Sequence, residues 1–88
     1  MSIKEWSESW YWKLGGARIW VADKLNLKAN MKVLDVGAGD GLFSIQAGKK
    51  YKDVKFIGIE YSNEYKEARE NAEELEMKNV EFHYMDAI

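Results

Sequence analysis

The stretch Lys32-Val33-Leu34-Asp35-Val36-Gly37-Ala38-Gly39-Asp40-Gly41 decides the fold. Its first half is a short, nearly continuous apolar run; its second half places glycine at every other position. An apolar run stopped by glycines reads as a strand covered on both faces, the kind found in parallel sheets. Leu42 to Tyr51 then reads as a helix, with Leu42, Phe43, Ile45 and Ala47 turned inward and Gly48 weakening its last turn. Strand, glycine turn and helix together open a βαβ unit.

Toward the C-terminus the pattern repeats. Val54 to Glu60 is a second apolar, β-branched strand. Ser62 to Met77 is a helix whose Tyr65, Ala68, Ala72 and Leu75 share one face. Ser62 suits its N-cap, Glu64 and Glu67 suit its positive end, and Lys66–Glu70 and Arg69–Glu73 are spaced for i,i+4 pairing. Asn79 opens a third strand, where Val80, Phe82 and Tyr84 alternate with Glu81, His83 and Met85, as at a sheet edge. Toward the N-terminus, residues 17–27 form a helix of about three turns that leaves at Lys28-Ala29-Asn30. Gly15-Gly16 separates it from a segment carrying Trp6, Trp10, Tyr11 and Trp12, read as packing or interface residues. The fold class is α/β: three parallel strands in spatial order 3-2-1, flanked by helices and preceded by an N-terminal helical segment. The chain is one partial domain, with residues 1–31 as the leading segment and 32–88 as the βαβαβ half.

Composition limits what such a chain does. Its 88 residues fall short of the usual domain of roughly 100–150 residues. It has no cysteine and one histidine, so disulfides and Cys/His metal clusters are excluded. A net charge of −2 gives no bulk attraction to nucleic acid or an anionic membrane. No apolar run approaches the roughly 20 residues of a membrane helix, and MSIKEWSESW is no secretory leader, so a cytoplasmic location is expected. The basic residues Lys49, Lys50, Lys52 and Lys55 read as a solvated helix end, and His83 as a solvated edge residue.

The chemistry lies at the strand ends. Gly37, Gly39 and Gly41 let backbone approach a ligand closely, and the helix that follows favours an anionic group such as a carboxylate. A phosphate-binding P-loop needs Lys then Ser or Thr where Leu42-Phe43 stand, and a dinucleotide fingerprint needs a G-x-G-x-x-G spacing that is absent. Asp35, two residues before the first glycine, disfavours a pyrophosphate and favours a cationic group. A ligand bearing an ammonium and a carboxylate fits best. Glu60, ending the second strand, suits the two hydroxyls of a ribose. Tyr61 offers a ring to a base, and Asp86, ending the third strand, offers an acceptor to an exocyclic amine such as that of adenine.

The segment Val33 to Gly41 resembles motif I of class I S-adenosylmethionine-dependent methyltransferases. Glu60 matches that family's ribose-binding acid, Asp86 its adenine-contacting acid, and Ala87 the backbone donor to the ring. The resemblance implies that Gly37, Ala38, Gly39 and Gly41 meet the methionine part of the cofactor, and that Asp35 orients the loop and the ammonium. The leading segment with Trp10, Tyr11 and Trp12 is similar to the one that closes over the cofactor in the family. The implied cofactor is S-adenosylmethionine, with S-adenosylhomocysteine as product; no metal and no catalytic residue are implied. The family sheet has seven strands, of which this chain supplies the first three, so the acceptor-facing half is missing and the methyl acceptor is unassigned. No proline-containing amino-methylation motif is present.

Two other readings stay open. The unpaired edge of the first strand, with Val33, Leu34 and Val36, is a template for another chain. A homo-oligomer, or pairing with a missing C-terminal half, is therefore expected, and the chain is then an assembly module or a piece of a longer enzyme. Aminopropyltransferase-like proteins share the scaffold, as do nucleotide-binding oxidoreductases.

Overall fold

A computed structural model describes residues 19–85. The elements run α1 (Ile19–Lys24), β1 (Lys32–Val36), α2 (Leu42–Lys50), β2 (Lys55–Glu60), α3 (Glu64–Glu74) and β3 (Val80–Tyr84). Gly15-Gly16, the tryptophan-rich leading segment, Asp86 and Ala87 lie outside the described residues.

The three strands form one parallel sheet in the order β1-β2-β3. The register sets Asp35 beside Gly58 and Glu60 beside Tyr84, so the carboxyl ends of the strands lie side by side. Ile45 and Ala47 of α2 and Ala68 and Ala72 of α3 pack with Phe56, Val80 and Phe82 of the sheet, forming the core with Ala22 of α1 and Val54. Gly48 does not end α2. A Cβ there would lie 2.5 Å from Val80 Cγ2, so its bare backbone lets the helix sit against the start of β3.

The expectation that β1 is covered on both faces is not met. Leu34 and Val36 are 59% and 65% exposed. Two successive right-handed crossovers that advance the same way across a sheet lay both helices on one side. Val33 and Asp35 face that side, and Leu34 and Val36 face away from it.

The helix ends also differ from the sequence reading. The first helix stops at Lys24, because Asn26 takes the left-handed conformation (φ 52) that asparagine tolerates. The long helix spans Glu64–Glu74 instead of Ser62–Met77. Asn63 stands at its N-cap, and Ser62 Oγ accepts the Glu64 N–H at 3.2 Å. At the other end Glu76 N–H donates to Glu73 O and Met77 N–H to Ala72 O, the paired bonds of a Schellman motif, with Glu76 at φ 54 where glycine is usual. Arg69 does not pair with Glu73. Its Nε donates to Phe82 O at 2.6 Å and its guanidinium lies over the Tyr65 ring. The basic residues are partly neutralised, since Lys50 meets Asp23 and Lys55 meets Glu81.

One side chain ties three segments together. Asn79 Nδ2 faces the carbonyls of Gly48, Tyr51 and Val54 at 3.0, 3.2 and 3.0 Å, joining the end of α2, the turn before β2 and the start of β3. Only the amide nitrogen suits three acceptors, which fixes the side-chain orientation. Asn79→Ala is expected to cost about 1–3 kcal/mol in chemical denaturation. Asn79→Asp costs more, because it turns a carboxylate onto carbonyl oxygens; equal stability of the two variants would contradict this role.

Candidate functional site

The site is built where β1 and β2 end. The Gly37 and Ala38 N–H groups both donate to Ile59 O, at 2.9 and 3.0 Å, which folds the glycine loop over the tip of β2. Glu60 completes the closure. Its Oε1 accepts the Gly39 N–H and its Oε2 the Ser62 N–H, each at 2.9 Å. Glu60 is only 6% exposed. The Ser62 hydroxyl, then the N–H groups of Gly39 and Ser62, hold its carboxyl below the usual range against the opposing effect of burial.

Asp35 stands on the neighbouring strand, half-buried on the helix side. The fully buried Ser44 of α2 donates its hydroxyl to Asp35 Oδ2 at 2.9 Å. Burial pushes the Asp35 carboxyl up, the Ser44 bond opposes this, and the charge of Glu60 adds to the rise. The two carboxylates are thus shifted in opposite directions at the mouth of one loop.

The glycines divide into two tasks. Gly37 (φ 75) has open space where a Cβ would stand, so its backbone is free to touch a ligand. At Gly41 (φ 87) a Cβ would lie 2.7 Å from Phe82 Cζ and 3.0 Å from Ala68 Cβ, so this glycine serves the packing of α2 on the core. Ala38 likewise packs over β2, its Cβ 2.8 Å from where a Cβ on Gly58 would be. The structure therefore brings together Asp35, Gly37, Gly39 and Glu60. It turns Gly41 inward and leaves Tyr61 65% exposed beside Glu60. The first N–H of α2 is already taken, since Leu42 donates to Asp40 Oδ1 at 3.1 Å.

Several contributors were not singled out from the sequence. Ser44 sits on the inward face of α2, and a polar residue at a buried helical position signals a partner. Gly58 inside an apolar strand signals close approach, here to Phe82. Asp40, one residue before the Gly41 N-cap, accepts the Leu42 N–H, and its carbonyl accepts Asn71 Nδ2 at 3.1 Å, tying α3 to the loop. Glu64, read from the sequence only as suiting the positive end of its helix, has Oε2 3.3 Å from the place a Gly39 Cβ would take. Among the described residues no cluster of His, Cys, Asp and Glu could hold a metal ion, and no helix is long and apolar enough to cross a membrane.

A loop of this design closing on an acidic strand tip invites comparison with known proteins. The family model described as a methyltransferase domain matches residues 27–88. This chain belongs to the methyltransferase domain family. The methyltransferase domain is 41% identical over 64 residues to the human protein named tRNA (uracil-5-)-methyltransferase homolog A, covering 72% of this chain and 10% of that protein. Among solved structures it is similar to a SAM-dependent methyltransferase from Aquifex aeolicus, with 29% identity and a TM-score of 0.70 over 96% of this chain and 45% of that one. The fold is also that of coclaurine N-methyltransferase bound to N-methylheliamine and SAH, with 22% identity and a TM-score of 0.71 over 80% of this chain and 21% of that one. The chain thus spans less than half the length of each of these proteins.

The opposed shifts at Asp35 and Glu60 have measurable signs. A carboxyl whose folded pKa is raised loses stability as pH climbs from the ordinary aspartate range through the folded value, and the deficit persists at neutral pH. A carboxyl held low contributes stability at neutral pH that is lost as pH falls through its folded value. In thermal melts Asp35→Asn is therefore expected to raise the midpoint at pH 7 and Glu60→Gln to lower it. Both differences shrink toward pH 3. Same-sign shifts at pH 7 would contradict the assignment.

Proposed function

We propose that this chain is the cofactor-holding half of an S-adenosylmethionine-dependent methyltransferase. The observation that carries the reading is Glu60, a buried carboxylate at the tip of β2, fixed by two backbone N–H groups and joined through one of them to the loop that Asp35 precedes. The residues suit the cofactor. The Ser62 hydroxyl at Glu60 is a rotatable donor whose place a ribose hydroxyl can take, whereas the backbone donors stay put. Open space at Gly37 admits a methionine moiety against bare backbone. Asp35 supplies negative charge for its ammonium, and Gly39 lines the same mouth. Tyr61, exposed beside Glu60, has a face for the adenine. Asp86 and Ala87, outside the described residues, complete the adenine contacts in this reading, while Ala38 and Gly41 shape the loop from behind.

The solved relative that holds SAH supports the choice of cofactor. When bound, S-adenosylmethionine supplies a methyl group on a positively charged sulfur. The protein's task is then to bind and orient it, since displacement at that methyl gains chiefly from positioning. The relatives' names point to unlike acceptors, a tRNA uracil and a coclaurine amine, so we propose no acceptor. Calorimetric titration with S-adenosylhomocysteine is expected to show binding. Glu60→Ala weakens it about ten- to a hundredfold, the worth of hydrogen bonds to a charged group. Absence of binding by folded wild-type protein would end this reading.

A second observation favours an assembly role for β1. Arg69 plugs an outward carbonyl of β3, which blunts that edge. Among the described residues the β1 edge has no such guard, and Leu34 and Val36 stand exposed beside it. We infer that β1 pairs with further protein, a second copy or another segment of a longer chain. In light scattering at micromolar concentration the 88-residue chain is expected to self-associate, and Leu34→Lys to reduce the association. A folded wild-type monomer would contradict this.

A further inference from the structure

Resting on the cofactor reading above, we propose that Ser44 is the positioning residue of the site: its hydroxyl holds the Asp35 carboxylate as an oriented acceptor for the cofactor's ammonium. Ser44 is 0% exposed, so it cannot act on a ligand directly. Its Oγ lies 2.9 Å from Asp35 Oδ2, a bond between the middle of α2 and the face of β1. A fully buried hydroxyl is costly without a partner, and Asp35 is the acceptor it meets. The bond uses one oxygen of the carboxylate, leaving the other to the ligand side.

This bond sits at a point of electrostatic conflict. Asp35 is half-buried, and the like charge of Glu60 on β2 acts on it. Both favour the protonated acid, which offers no negative charge to an ammonium. From α2 the group facing Asp35 is Ser44, whose donation favours the anion. Glu64 of α3 lies against Gly39, and the acidic residue of α1, Asp23, is engaged with Lys50 and Tyr51. Ser44 is thus the one donor among the described residues that opposes both effects. Cofactor binding then acquires an acid limb set by Asp35, and Ser44 moves that limb to lower pH.

The test has two readouts on Ser44→Ala. Carboxyl NMR follows the titration of Asp35 in the ligand-free protein, where the variant is expected to titrate at higher pH than wild type. Calorimetry with S-adenosylhomocysteine across pH 4–8 is expected to show the acid limb of binding moving up in step, with about twofold to tenfold weaker binding near the limb. Ser44→Cys fills nearly the same space with a much weaker donor. It is expected to shift both readouts the same way, and covers the case in which the alanine variant does not fold. Identical Asp35 titration in wild type and variant overturns the proposal. So does binding weakened equally at every pH, which marks a merely structural residue. A wild type that shows the NMR coupling but binds no S-adenosylhomocysteine at any pH overturns the cofactor reading and, with it, the purpose assigned to Ser44.

Discussion

The Gly39 N–H donating to Glu60 Oε1 is the bond on which the site depends. It joins the loop after β1 to the tip of β2, two parts of the chain that a parallel sheet sets side by side but does not connect at their ends. Without it the glycine loop is tied to β2 through its two bonds to Ile59 O, and to α3 through the Asp40 carbonyl. With it, the same carboxylate that shapes the loop is held as an acceptor beside it, its second oxygen fixed by the Ser62 N–H. Loop shape and the proposed ligand chemistry therefore rest on a single side chain. A long acidic residue is required there, because a carboxylate alone offers two acceptor oxygens in a fixed plane.

That economy has a cost. Burial first, and then the like charge of Glu60 on the adjacent strand, raise the Asp35 pKa, while Glu60, richer in donors, remains acidic. A fold selected for stability alone has no reason to bury Asp35 beside Glu60. Functional sites are where such local conflicts are retained. The remainder of the described structure compensates with firm packing: Phe82 fits against the bare backbones of Gly41 and Gly58, and Asn79 fastens the opposite end of the sheet through three carbonyls.

Much of this was legible in the sequence, for reasons that differ between residues. The strands and the glycine turn were readable because apolar runs and glycine spacing are local signals, and Asp35 and Glu60 because strand ends can be placed from those runs. The end of α3 was not readable, since Glu76 adopts a left-handed conformation that sequence assigns to glycine. Gly41 was read with the ligand-facing glycines, and only the packing of Phe82, 41 positions along the chain, shows that it serves the core. Ser44 lay hidden in the apolar rhythm of α2, because its role depends on a neighbour across the β1–α2 contact. The exposure of Leu34 and Val36 depends on which face the helices take, a property of the whole sheet that no local pattern carries.

In the proposed function the glycine loop and Glu60 form one prepared surface for an S-adenosyl ligand. The most direct measurement is an amide NMR titration of the chain with S-adenosylhomocysteine. The resonances of Gly37, Gly39 and Ser62 are expected to shift and saturate together, while those of Gly48 and Met77 at the opposite end of the sheet stay in place. Shifts confined to Gly48 and Met77, or no shift at Gly39 and Ser62 at saturating ligand, would contradict it.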